Sequence, residues 1–195
     1  MMNAIRAPLV VSLMLIPFVL LSLKSIGYLS GLGANPVEAI IHETGLWGIR
    51  FLMLTLLITP IAYYSGNRSI AKLGKPVGLM AFFYVLNHFL SYAIIDQAGD
   101  LAVIIVDIIE TPYLIVGWGG FLCLFGVASV SFKRLEDWFS KNRSTISGLV
   151  YTAAILGAWH FYWQAKVVEV EPLIYSFMLT VLIIWRWKIS TKQRT

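Results

Sequence analysis

Charge is scarce in this chain. Of its 195 residues only 13% are Asp, Glu, Lys or Arg, about half the share usual in soluble domains. Cysteine is nearly absent as well. The lone Cys123 lies in an apolar block, which excludes an internal disulfide and a cysteine-based metal cluster and leaves a small apolar core residue. There is no H-E-x-x-H, no G-x-S-x-G with triad partners in place, and no Walker or dinucleotide glycine pattern, so no catalytic side chain is assigned. Nor is there a low-complexity stretch or a visible repeat of fixed period. What the chain has instead is apolar residues, 58% of the total. A water-soluble fold of this size leaves roughly a third of its unfolded surface exposed and could not hide them. They also fall in blocks of about twenty, the length that crosses a bilayer. A soluble enzyme, a disordered chain and a nucleic-acid-binding domain are thereby excluded. The composition is that of an integral membrane protein surrounded by lipid.

Six apolar blocks are predicted to span, at about Pro8–Leu29, Leu46–Tyr64, Pro76–Ile95, Pro112–Phe132, Thr145–Trp163 and Leu173–Trp187. Backbone polar groups in hydrocarbon must be satisfied within the segment, and long blocks without alternation achieve this as helices. Pro76 and Pro112 open two of the blocks, a position that tolerates the missing N–H. The first block is long for the apolar region of a signal peptide and no A-x-A-like site follows closely, so it is expected to be a retained helix. The expected fold is an all-α bundle of six transmembrane helices, one domain over residues 1–195. The segment Asp100–Glu110 is apolar apart from its acids but too short to cross. A helix lying along the membrane surface and a simply packed loop are both open for it.

Orientation follows from where the cations fall. The N-terminus, Ser65–Lys75, Lys133–Ser144 and the tail after Trp185 hold Arg6, Arg68, Lys72, Lys75, Lys133, Arg134, Lys141, Arg143, Arg186, Lys188, Lys192 and Arg194. The opposite side has only Lys24, Arg50 and Lys166, together with every acid except Glu136 and Asp137. The excess of Lys and Arg marks the cytoplasmic side, which places both termini there.

Ionisable groups inside hydrocarbon are costly and point to function. No predicted span holds an acid well inside it, which argues against a proton-coupled carrier built on intramembrane carboxylates. Three histidines remain. Counting 1.5 Å per residue from the inner edge of its span puts His88 roughly 18 Å up the third span and His160 roughly 22 Å up the fifth. Two imidazoles at matching depth on parallel helices suit an iron ligand pair holding a haem edge-on. Gly78, Gly117, Gly119, Gly120, Gly148 and Gly157 are small enough to leave a flat slot for one, although glycine equally serves plain helix packing. Depth alone leaves both a ligand pair and two packed histidines open. His42, just before the second span, reads first as a solvated loop residue and second as an additional ligand.

Around these histidines run Gly-Leu-Gly-Ala-Asn-Pro-Val-Glu from Gly31, His42-Glu-Thr-Gly, Leu56-Leu-Ile-Thr-Pro, Gly78-Leu and His88-Phe-Leu-Ser-Tyr-Ala. Further on stand Thr111-Pro-Tyr-Leu, Leu149-Val-Tyr, His160-Phe-Tyr-Trp-Gln-Ala-Lys and Glu171-Pro-Leu-Ile-Tyr. In this order, from about Gly31 to Trp187, they resemble the haem-binding membrane subunits of periplasmic methionine-sulfoxide reductase systems. These form the MsrQ (YedZ) family within the ferric-reductase-like transmembrane superfamily. The resemblance implies a b-type haem whose axial ligands match His88 and His160, and a place in the bacterial inner membrane. It further implies electrons drawn from the quinone pool or a cytoplasmic flavin reductase and passed to a periplasmic molybdenum-containing catalytic subunit. FMN is implied by the resemblance alone, since the chain carries no recognisable flavin motif. Two departures stand out. Ser147 sits where the family has a further histidine, and Gly74 with Lys75 replaces a pair of arginines. An inner redox site of the family's kind is therefore lost or rebuilt here. A divergent haem protein with another acceptor, such as ferric iron, and a non-catalytic six-helix membrane protein are the alternatives.

Overall fold

Several helices begin where the sequence supplies a cap or a proline. The computed structural model describes residues 2–131, 141–165 and 170–192. Lys133, Arg134, Glu136, Asp137, Lys166 and Arg194, which helped to assign the two sides, lie outside the described residues. Every regular element among the described residues is helical: α1 (Met2–Ser25), α2 (Pro36–Ser65), α3 (Arg68–Ala71), α4 (Gly74–Leu90), α5 (Leu101–Glu110), α6 (Pro112–Ser129), α7 (Arg143–Gln164) and α8 (Val170–Lys192). A π-helical turn, Ser91–Asp96, continues α4. In α2 the Asn35 side chain accepts a bond from the Glu38 amide at 3.3 Å, Pro36 fills the first turn, and Gly66 ends the helix at φ 65°. Only glycine takes that left-handed conformation without cost. Pro112 opens α6 in the same way.

Among the described residues, five stretches are long and apolar enough to cross a membrane: Ala7–Ser25, Pro36–Ser65, Arg68–Asp96, Pro112–Ser129 and Val170–Ile189. The remaining expected span forms α7, which has 22 residues but is diluted by serine, threonine, tyrosine, tryptophan and histidine. Boundaries shifted most at α2, which starts well before Leu46. The acids Glu38 and Glu43 and His42 hide its first turns from a hydropathy reading, while the Asn35 cap starts the helix regardless. At 1.5 Å per residue its 30 residues reach about 45 Å, more than the roughly 30 Å of hydrocarbon. The segment after Asp100 is a helix rather than a loop. The Asp100 side chain accepts from the amides of Ala102 and Val103, at 2.9 and 3.2 Å, and starts α5.

The chain divides into two compact units, Met1–Asp107 and Ile108–Thr195. In the first, α2 and α4 form a close hairpin. A Cβ on Gly48 would stand 2.8 Å from Val85 Cγ2 and 3.4 Å from its backbone nitrogen, so the helices pack closely here and a larger residue would have to displace Val85. Leu52, Met53 and Leu56 of α2 and Val77, Ala81 and Tyr84 of α4 are buried. Helix α1 lies against this hairpin through Phe18, whose ring meets Phe83 edge-on at 4.9 Å. In the second unit α6 and α7 form the corresponding hairpin, with Gly120 close to the Ala153 carbonyl and Leu156. Helix α8 joins it, Phe161 of α7 facing Tyr175 at 6.2 Å between ring centres.

Candidate functional site

His88 projects from α4 toward α2, where its Nδ1 lies 2.8 Å from the carbonyl oxygen of Ile41. A carbonyl only accepts, so Nδ1 carries the hydrogen and the neutral ring keeps its lone pair on Nε2. That is the tautomer a metal binds through Nε2. The carbonyl is itself held in place, for the buried Thr44 hydroxyl lies 2.7 Å from the Ile40 oxygen and 2.9 Å from that of Ile41. One turn after Ile41 comes Gly45. A Cβ there would fall 2.9 Å from His88 Nδ1 and 3.1 Å from Cε1. The imidazole occupies the volume an alanine would need.

The second unit repeats the arrangement. His160, on α7, places Nδ1 2.8 Å from the carbonyl oxygen of Tyr113 on α6. A Cβ on Gly117 would fall 2.8 Å from that nitrogen and 3.0 Å from Cε1. In both hairpins the histidine and its carbonyl are 47 residues apart. Moved along the chain by one constant step, Ile41, Gly45, Gly48, Ala81, His88 and Phe89 become Tyr113, Gly117, Gly120, Ala153, His160 and Phe161. The chain therefore does carry a repeat, against the expectation that none exists. It is a repeat of helical hairpins, concealed because most of the residues between these few positions do not match. Gly45 and the two carbonyls escaped the sequence reading. The signal that finds them is a glycine four residues past a fixed point and a histidine at one constant spacing from it.

The other expected residues fall differently. His42 is exposed, and it sits within α2 rather than in a loop before it, next to Ile41. Of the glycines expected to shape a slot, Gly117 makes room for His160, while Gly78, Gly119 and Gly120 face Thr55 and Leu156 as helix-packing contacts. Gly148 and Gly157 have open space where a Cβ would go. Ser147 is engaged: Arg186 of α8 donates from Nη1 to its Oγ at 2.5 Å and lies over the Tyr151 ring, 4.8 Å from its centre. Cys123 is a free, half-buried thiol. Among the described residues no group of three or more His, Cys, Asp and Glu converges. The donor chemistry is that of single imidazoles, one presented by each hairpin.

The sequence signature described as "Ferric reductase like transmembrane component" matches residues 44–158, more than half of the chain. The chain belongs to the ferric-reductase-like transmembrane family. The match takes in Gly45, His88 and Gly117 and stops just before His160. Among similar proteins, one from Xanthomonas oryzae pv. oryzae (strain MAFF 311018) is 36% identical over 165 residues, covering 84% of this chain and 76% of the relative. One from Brucella anthropi is 34% identical over 161 residues, with 83% and 73% covered. A Brucella ovis protein is 36% identical with the same coverage. All three relatives bear the name protein-methionine-sulfoxide reductase heme-binding subunit MsrQ.

Proposed function

We propose that this protein is the haem-carrying membrane subunit of an electron-transfer system that serves a periplasmic methionine-sulfoxide reductase. The observation that carries the reading is the pair of imidazoles, each tied by Nδ1 to a backbone carbonyl and so prepared to offer Nε2 to iron. A haem takes two axial donors, and single neutral imidazoles suit it chemically. His88 and His160 are assigned as its ligands. When bound, a b-type haem supplies one-electron chemistry at a potential set by its ligands and its surroundings. The chain's own part is to fix both rings and to exclude water. His42 keeps a secondary place as a possible further ligand, while no catalytic side chain is assigned.

The family assignment and the names of the relatives support a methionine-sulfoxide reductase as the acceptor, a molybdenum-containing subunit in our reading. Quinol, or a flavin reductase on the cytoplasmic side, is the proposed donor, with FMN as an accessory cofactor. The proposed setting is the bacterial inner membrane, with one domain of six spans, both termini cytoplasmic, and α7 as the least apolar span. The cation distribution supports that orientation. Helix α5 is proposed to lie in the outer interface. Leu101, Ile105 and Ile109, spaced to share one face, are all exposed beside the acids Asp100 and Glu110.

The test is a pyridine-haemochrome assay on purified protein alongside the His88→Ala and His160→Ala variants. About one haem per chain is expected, falling to a small fraction in each variant while membrane insertion persists. Full haem content in both variants would reject the ligand assignment.

A further inference from the structure

We propose that Gly45 and Gly117 are positioning residues. By letting His88 and His160 reach the carbonyls of Ile41 and Tyr113, they set how tightly the haem iron is held and the potential at which it accepts an electron. This rests on the haem reading above.

The bond between Nδ1–H and a carbonyl does two things to an imidazole. It fixes the ring's orientation, and it shifts electron density toward Nε2, making that nitrogen a stronger donor. A stronger donor favours the ferric over the ferrous state and so lowers the potential. In this chain the bond exists only because the residue one turn beyond each carbonyl has no side chain. At either position an alanine Cβ would meet Nδ1 at 2.8–2.9 Å, closer than such atoms pack. Something must yield, and the geometry decides what. The obstructing atom belongs to a ring on a rotatable side chain. The helices approach backbone to backbone nearby, where a Cβ on Gly48 would lie 3.4 Å from the Val85 nitrogen and one on Gly120 3.5 Å from the Ala153 carbonyl oxygen. The ring therefore turns off its carbonyl while the hairpin keeps its place. Because both hairpins use the same device at nearly the same distances, both substitutions act in the same direction.

The experiment uses the full-length, haem-loaded protein in detergent as Gly45→Ala, Gly117→Ala and Gly126→Ala. A Cβ on Gly126, also on α6, meets nothing within 4 Å, so that variant controls for the loss of a helical glycine. Haem transfer to apomyoglobin reads affinity, optical redox titration reads the potential, and circular dichroism reads helix content. Gly45→Ala and Gly117→Ala are expected to weaken haem retention roughly 10–100-fold. Their potentials are expected to rise, by about 59 mV for each tenfold loss of preference for ferric iron. Gly126→Ala is expected to match the unmodified protein, and helix content to be equal in all four. If the unmodified protein holds haem and the two glycine variants keep its affinity and potential, the proposal is overturned while the haem reading stands. Loss of helix content along with haem in those two variants would make the glycines packing residues and also overturn it. An unmodified protein without haem would instead overturn the reading on which the proposal rests.

Discussion

The Tyr84 hydroxyl stands between two backbone groups of a neighbouring helix. It donates to the Met14 carbonyl at 2.8 Å and accepts from the Phe18 amide at 2.9 Å. These are the two groups that an unbroken α1 would join to each other. Pro17 lies between them and brings no N–H of its own, so the turn is already weakened and the phenol enters it. Tyr84 is fully buried, and it lies one helical turn before His88 on α4. The turn of α4 that precedes the histidine is thus the one that holds α1.

Replacing Tyr84 by phenylalanine keeps the ring and removes the bridge. Met14 and Phe18 must then re-form their own bond or remain unsatisfied, at a cost of about 1–3 kcal/mol. Thermal unfolding in detergent should show a lower midpoint for Tyr84→Phe. Haem content should be unchanged, since the bond from His88 to Ile41 is made on α2 and not on α1. Loss of haem without loss of stability would contradict this division of roles.

Ser147 leads to a second expectation. A histidine placed there would meet the Arg186 guanidinium, which already bonds the serine hydroxyl. Ser147→His alone should therefore stay at about one haem per chain in the pyridine-haemochrome assay. The double variant Ser147→His with Arg186→Leu removes the competing cation but still offers a single imidazole, so it too should stay at about one haem. Two haems in either variant would show that the chain supplies a second donor at that position.

Topology is open to direct mapping. Reporter fusions after Ser69 and Asn142 should read cytoplasmic, and those near Pro36 and Gly99 periplasmic. A reversed reading at two of these sites would overturn the span map.

Helix α5 offers a probe of the membrane surface. With Cys123 changed to serine, a single cysteine at Ile105 carrying a fluorophore should be quenched by lipid-borne nitroxides. A water-soluble quencher should act on it weakly. Strong aqueous quenching would instead place that face in solvent.

The apolar helices were legible because hydropathy acts along the chain and needs no partner, and the cost of a buried imidazole singles out His88 and His160 as candidates. Helix α2 was read short because acids such as Glu38 and Glu43 lower hydropathy without ending a helix, whereas its true start depends on the local bond between Asn35 and the Glu38 amide. The carbonyls of Ile41 and Tyr113 could not be read at all. Every residue has a carbonyl, and what selects these two is the helix packed against them. Gly45 was passed over for a related reason: it sits beside His42, and it acquires its meaning from a ring 43 positions further on, through the close approach of α2 to α4. Ser147 was noticed as a departure, but its partner Arg186 belongs to another helix.

Each hairpin completes its own histidine lock from contiguous chain, 47 residues from carbonyl to ring. This bears on biogenesis. Helices leave the ribosome in order, so α4 can dock on α2 as soon as it enters the membrane, and α7 on α6 in its turn. Neither docking needs the other hairpin. Both imidazoles are then aimed, in the right tautomer, before any cofactor arrives. On the proposed haem reading, loading can come last, as a capture step, and the chain need not fold around its cofactor.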